Sequence, residues 1–145
     1  MRKLIFSIAL VSFLCFNATA QSSSEILPQN TQDFINQHFG NASITKVEKE
    51  DGWLDWDRNE MYEVRLDNGI KLEFDENGNV TEMESDRGET IPVEALPDKI
   101  RQYLNETYNG IGVVSWEMDS RDQEVELADG TDLEFDAQGN FLKID

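Results

Sequence analysis

Apolar residues recur along this chain at two periods, and the switches between them mark its elements. Ile100, Tyr103, Leu104 and Tyr108 make one helical stripe, with Pro97 suited to the first helical position and Gly110 as the stop. Phe34, Ile35 and Phe39 form a shorter stripe of the same kind, stopped by Gly40. Elsewhere the period is two. Tyr62, Val64 and Leu66 alternate with Glu63, Arg65 and Asp67, and Ile70, Leu72 and Phe74 alternate with Lys71, Glu73 and Asp75. Asn68-Gly69 and Asp129-Gly130 read as two-residue hairpin turns, because these residues tolerate positive φ. Gly78-Asn79 and Gly139-Asn140 turn the chain again into a last short strand. The opening strands, Ser43–Glu50 and Gly112–Asp119, are less regular. Plain alternation puts Val114, Trp116 and Met118 on one face of the second, where Thr45, Val47 and Lys49 stand in the first.

These elements occur twice. Residues 62–83 align without gaps on residues 123–144, and ten of the 22 positions are identical, including Leu72-Glu73-Phe74-Asp75 against Leu133-Glu134-Phe135-Asp136. Upstream, Leu27-Pro28 corresponds to Leu96-Pro97, and Phe34-Ile35-Asn36 to Tyr103-Leu104-Asn105. The offset falls from 69 to 61, so the first copy carries eight extra residues, within Asp51–Glu60. The pattern predicts an α+β fold of two tandem α-β-β-β-β units at 27–84 and 93–145, joined by a linker at 85–92. Each antiparallel sheet should carry its helix on one face and leave the other charged and wet. A unit of about 55 residues buries little by itself, so the two should share one sheet and one core. Phe74 and Phe135 should be equivalent and buried.

The first 20 residues belong to another category. Met1-Arg2-Lys3 is a basic start, Leu4–Phe16 an apolar run of 13 residues, and Ala18-Thr19-Ala20 the small-x-small pattern of a cleavage site. The run is short for a membrane span. The expectation is export to the periplasm or medium, cleavage after Ala20, a flexible start at 21–26 and no membrane insertion afterwards. Cys15, the one cysteine, leaves with the signal, so the mature chain has no disulfide, thiol nucleophile or thiolate metal site. Lipidation of Cys15 is disfavoured, because Leu14 precedes it where a small residue is needed.

Charge narrows the function. Thirty Asp+Glu against 12 Lys+Arg give a net charge of −18. Nucleic acid is excluded as a partner, since binding it rests on Lys and Arg replacing counterions. An anionic membrane surface is disfavoured for the same reason. A chain with 39% hydrophobic and 10% aromatic residues can still build a core, so the charge does not signal disorder.

Leu96-Pro97…Ile100…Tyr103-Leu104…Tyr108, Trp116-Glu117, Val125-Glu-Leu-Ala-Asp-Gly130 and Leu133-Glu-Phe-Asp…Gly139 together resemble the PepSY-like family, whose fold is shared with the β-lactamase inhibitor protein. The resemblance covers about residues 26–145 and implies extracytoplasmic binding or inhibition. Its motifs are helix stripe, turns and core, and they carry no chemistry.

The residues themselves offer little chemistry. His38, the one histidine, sits four residues after Phe34 on a helix face and reads as a boundary residue. No G-x-S-x-G accompanies it. Glu73/Glu134 and Asp75/Asp136 are repeated carboxylates, but alternation with core residues explains them as a solvated sheet face rather than a glycosidase pair. Asp75-Glu-Asn-Gly-Asn79 resembles the start of a calcium loop, but its glycine is fourth, where an EF-hand needs it sixth with a glutamate at twelve. Asp51–Asp57 lacks that spacing too. No catalytic residue, metal ligand or cofactor is therefore assigned.

The extra loop of the first copy is the exception. Trp53 and Trp56 stand there among Asp51, Asp55, Asp57 and Arg58, and tryptophan is over-represented among binding hot spots. Either they fold back on the sheet, or they anchor a partner. The expectation is a monomeric, non-catalytic binding or inhibitory module for an extracytoplasmic protein or peptide. Its recognition surface would comprise Trp53, Asp55, Trp56, Asp57, Arg58, Glu63, Arg65, Lys71 and Glu73. The alternatives are a hydrolase using sheet-face carboxylates and an acidic divalent-cation-binding protein.

Overall fold

The computed structural model describes residues 26–49, 60–86 and 88–145. The expectations for the signal segment, for Cys15, for residues 21–25 and for Trp53, Asp55, Trp56, Asp57 and Arg58 lie outside the described residues. The elements run α1 (Gln29–Phe39), β1 (Ile44–Lys49), β2 (Glu60–Leu66), β3 (Ile70–Asp75), β4 (Val80–Ser85), a 3-10 turn (Val93–Ala95), α2 (Asp98–Thr107), β5 (Val113–Met118), β6 (Asp122–Leu127), β7 (Asp132–Asp136) and β8 (Phe141–Ile144). The strands form one antiparallel sheet in the order β1 to β8. The predicted α+β architecture of two tandem α-β-β-β-β units is therefore observed, with every neighbour in the sheet also a neighbour in sequence.

Each helix seats an aromatic ring on a buried phenylalanine of its sheet. Phe34 of α1 meets the buried Phe74 edge-on at 6.0 Å, and Tyr103 of α2 meets the buried Phe135 edge-on at 5.5 Å. The two phenylalanines are equivalent and fully buried, as the repeat requires. The units join where Met83 of β4 pairs with Trp116 of β5, both buried, so the core runs unbroken across the seam. Trp116 Nε1 donates to Gln123 Oε1 at 3.2 Å, and Gln123 in turn donates to the carbonyl of Asp136, which keeps these buried polar groups paired. Within 85–92, Ile91 is buried and its N–H donates to the carbonyl of Val113 at 2.8 Å.

Two local readings are corrected. Pro97 has ψ 142°, an extended value, so it caps α2 from outside, and its carbonyl accepts the first helical bond from Arg101 N at 2.9 Å. Pro28 does the same for α1. In β5, Val113 is the buried residue with Trp116; Val114 is only half-buried and Met118 is exposed. The cause is a register shift between Val113 and Ser115, which breaks the alternation, and β1 carries the equivalent shift between Ile44 and Lys46.

The repeated Asp-x-x-Gly-Asn turns are locks for the helices. Asp75 Oδ1 accepts from the N–H groups of Asn77 and Asn79, and its Oδ2 from Asn79 Nδ2. Asp136 accepts the same three bonds from Gln138 and Asn140. At the first turn, Thr31 Oγ1 donates to the Gly78 carbonyl at 3.1 Å and Asn30 Nδ2 to the Asn77 carbonyl at 2.8 Å. Gly78 has φ +77°, and a Cβ there would stand 2.6 Å from Thr31 Oγ1, so both the turn and the seated helix require glycine. These carboxylates, read from sequence as part of a solvated sheet face, are held by their own turns.

Candidate functional site

The face of the sheet opposite the helices is built by register. Pairing in β1–β2, β2–β3 and β3–β4 places Glu48 opposite Glu63, Glu63 opposite Glu73, and Glu73 opposite Glu82. Across the seam Glu82 pairs with Glu117, and then Glu117 with Glu124 and Glu124 with Glu134. One carboxylate from each of seven successive strands thus stands in a single row, ended by Lys143 on β8. Like charges directly opposite one another destabilise a sheet. Folding therefore gives no reason for the row wherever no cation answers it.

A parallel row beside it decides where the charge is neutralised. Lys46, Arg65 and Lys71 lie side by side on β1, β2 and β3. Arg65 holds Glu63 at 2.8 Å and Asp86 at 3.2 Å. Lys71 reaches Glu82 at 2.7 Å, Glu73 at 2.9 Å and Glu84 at 3.1 Å. Burial disfavours the Lys71 ammonium, but these three carboxylates outweigh it and push the pKa up. Of the predicted surface residues, the structure thus brings Glu63, Arg65, Lys71 and Glu73 together on one face. It also corrects their setting: Glu73 is only 6% exposed and Lys71 is largely covered, so this part of the face is a packed ion cluster and not wet.

The second half of the face differs. On β5 to β7 the neighbouring row continues as Ser115, Glu126 and Asp132. With Glu117 and Glu124 these residues line a shallow concavity of about 340 Å³. Lys143 neutralises only its margin, at 2.9 Å from Glu134 and 2.7 Å from Asp145. Glu117, Glu124, Glu126 and Asp132 have no basic partner among the described residues. The Glu124 pKa is raised by burial and by the charges of Asp132, Glu117, Asp145 and Glu134. Glu82 is also raised, by burial first and by Glu73 and Glu117, against the opposing pull of Lys71. Among the described residues, no group of three metal-ligating side chains is placed to hold an ion.

These shifts fix a pH profile. Glu82 and Glu124 are raised from 4.5, so the stability they contribute is complete below that value and is lost as pH rises through their folded values. Asp75 and Asp136 are lowered from 3.8. For Asp75, burial opposes ionisation but the Asn79 and Asn77 donors prevail; for Asp136 the Asn140 side chain leads. Their contribution is present above 3.8 and lost as pH falls through their folded values. In low salt the melting temperature should therefore be a few degrees higher at pH 5 than at pH 8, and should drop below about pH 3.5. A melting temperature that climbs steadily from pH 5 to pH 8 would contradict this assignment.

On the helix side, a cleft of about 630 Å³ separates α1 from α2, lined by Phe34, His38, Leu96, Arg101, Trp116 and Met118. His38 packs against Phe34 at 4.8 Å and is half-buried, and burial lowers its pKa. This is the boundary position read from its spacing.

The sequence reading missed Glu82, Glu117, Glu124, Glu126 and Asp132. The signal was present for some of them: the two-residue turn Asp129-Gly130 fixes Glu124 opposite Glu134, and Glu126 opposite Asp132. The β4–β5 pairing, which joins the two halves of the row, spans the long connection that carries α2 and has no such sequence mark.

One eight-stranded sheet with two helices on one face and an open carboxylate face defines a tandem α+β module. The chain belongs to the family described as "Putative beta-lactamase-inhibitor-like, PepSY-like", which matches it twice, over residues 17–82 and 60–143. A Bacteroides thetaiotaomicron protein called a "putative calcium-regulated periplasmic protein" is 35% identical with a TM-score of 0.71, covering 83% of this chain and 91% of its own. Two Bacteroides vulgatus proteins described as periplasmic are similar as well. One is 35% identical with a TM-score of 0.68, covering 82% of this chain and 90% of its own. The other is 30% identical with a TM-score of 0.67, covering 84% and 94%. No curated protein matches the chain. Among the described residues, no helix is long and apolar enough to cross a membrane.

Proposed function

We propose that this protein is exported to the periplasm and works there as a non-catalytic recognition module, whose open sheet face takes a cationic surface or segment of another extracytoplasmic protein or peptide. The observation that carries this reading is the in-register row from Glu48 to Glu134, unneutralised over β5 and β6. An unneutralised stretch that opposes folding but is complementary to positive charge fits a partner's needs better than the fold's own. Arg65 and Lys71, being engaged by glutamates, order the face, and Glu117, Glu124, Glu126 and Asp132 meet the partner. Exposed charge steers association more than it holds a complex. Trp53 and Trp56 supply the apolar anchors of this proposal, beside Asp55, Asp57 and Arg58. The periplasmic relatives and the signal pattern of residues 1–20 support the compartment.

The test uses a partner isolated from the periplasm by affinity capture. Trp53→Ala, Trp56→Ala and the pair Glu117→Lys/Glu124→Lys should each weaken binding at least tenfold without lowering the melting temperature. Neutralising any single carboxylate should leave the effect standing, whereas a hydrolase would lose its activity at one of them.

A second reading, cation regulation, is favoured by the name of the 35%-identical relative, a "calcium-regulated" protein. It requires calcium to raise the melting temperature more than magnesium does at equal ionic strength. Equal shifts would mean screening of the face.

A further inference from the structure

The two edges of the sheet are unlike. β1 is blunted as natural edges are: Lys46, Glu48 and Lys49 are exposed, and a register shift interrupts the strand. β8 is itself short, carries Lys143 and has a register shift at Leu142, yet its apolar side chains stay uncovered. Phe141, Leu142 and Ile144 are 36%, 50% and 57% exposed, three of the five large apolar side chains so exposed among the described residues. The strand is nonetheless firmly placed. Phe141 stacks on Tyr103 of α2 at 4.7 Å and meets Phe135 edge-on at 5.9 Å. The N–H of Asp145 donates inward to the Asp132 carbonyl at 3.0 Å, so antiparallel alternation turns the N–H of Ile144 outward.

From this edge we infer that β8 is the docking strand for an extended segment of the partner, one that alternates apolar and basic residues and adds to the sheet as a ninth strand. The inference rests on the recognition reading above and names the partner's chemistry. A strand laid along β8 puts one set of side chains beside Phe141 and Ile144, which pair with Phe135 and Leu133 on the helix side and call for apolar neighbours. Its other set continues the carboxylate face past Glu134 and Asp145, where Lys143 is already engaged by both. The place beside Asp145 calls for lysine or arginine. A second copy of this chain fits poorly, because pairing β8 with itself would extend one acidic face with another, at −18 per chain. Main-chain bonds then supply affinity and the alternating side chains supply specificity.

The experiment titrates the full mature chain with a ten-residue peptide alternating lysine and valine, against the same peptide with glutamate in place of lysine. The lysine peptide should bind, slow amide exchange of Ile144 at least tenfold, and lose affinity in high salt. The glutamate peptide should not bind. Ile144→Pro, which removes an outward N–H and leaves the ladder to β7, should weaken binding at least tenfold. Leu142→Lys, a milder blunting of the edge, should do the same with an unchanged melting temperature. Binding abolished by Glu117→Lys/Glu124→Lys but untouched by both edge variants would overturn the β8 assignment and leave the recognition reading intact. Binding indifferent to all three would overturn both. A peptide-free dimer broken by Leu142→Lys would overturn the choice of occupant.

Discussion

Phe135→Ala should cost the protein about 3–5 kcal/mol, and Phe74→Ala about as much. Both rings are fully buried, each under the aromatic residue that seats its helix. Truncation leaves a cavity and removes the edge-on contact, a term of about 0.5–1.5 kcal/mol beyond burial. Phe135 also loses its contact with Phe141, so the β8 edge loosens with it. Domain stabilities are only about 5–15 kcal/mol, so either variant lies near the limit of folding. Because Met83 and Trp116 make the core continuous, urea unfolding should show one transition for both units, displaced as a whole by either substitution. A loss below about 1 kcal/mol would mean that the helix does not press on that ring. Two separate transitions would contradict the shared core.

Lys71→Met should be nearly as damaging, for an electrostatic reason. The lysine is the hub of Glu73, Glu82 and Glu84, and it is mostly out of water. Removing one member of a buried ion cluster leaves the others charged and unsolvated, at about 3–5 kcal/mol for the fully buried case. Glu84 is half exposed, so about 3 kcal/mol is expected here. The sign of its pH dependence is distinctive. The raised pKa of Lys71 gives a stability that is complete below 10.5 and lost only as pH rises through the higher folded value, so the wild type keeps it throughout the neutral range. In the variant Glu82, which burial already raises and Lys71 no longer opposes, takes up a proton more readily, and the deficit should shrink from pH 8 to pH 5. Adding Glu82→Gln should restore part of the loss. A deficit independent of pH and unrelieved by Glu82→Gln would mark Lys71 as a packing residue only.

How far these features could be read from residues alone depends on what enforces them. The hairpin turns carry Asn-Gly and Asp-Gly, so the pairing of β2 with β3 and β6 with β7 was legible, as was the burial of Phe74 and Phe135. The repeat made the second unit a check on the first. Val113 was not legible as a core residue, because a register shift in β5 displaces it from simple alternation. Asp75 and Asp136 look like face carboxylates until their turns close around them. The acidic row needed the β4–β5 pairing, which depends on Met83 meeting Trp116 across a connection with no turn motif. Arg65 and Lys71 were correctly placed on the open face, yet their saturation by glutamates depends on Glu82 and Glu84 of the next strand, which only the three-strand register reveals.

Recognition through this fold requires that the bare acidic half of the sheet meet the partner. The direct measurement is the affinity of the captured partner for wild type and for Glu117→Lys/Glu124→Lys, at low and high salt, with both proteins shown to melt alike. These two side chains face each other across β5 and β6 and are flanked by Glu82 and Glu134, so two lysines still repel each other but each gains an acidic neighbour, and the fold should not be harmed. At least a tenfold loss of affinity is expected at low salt, and a much smaller difference at high salt. Equal affinity of the two proteins at both salt concentrations would contradict recognition through this face.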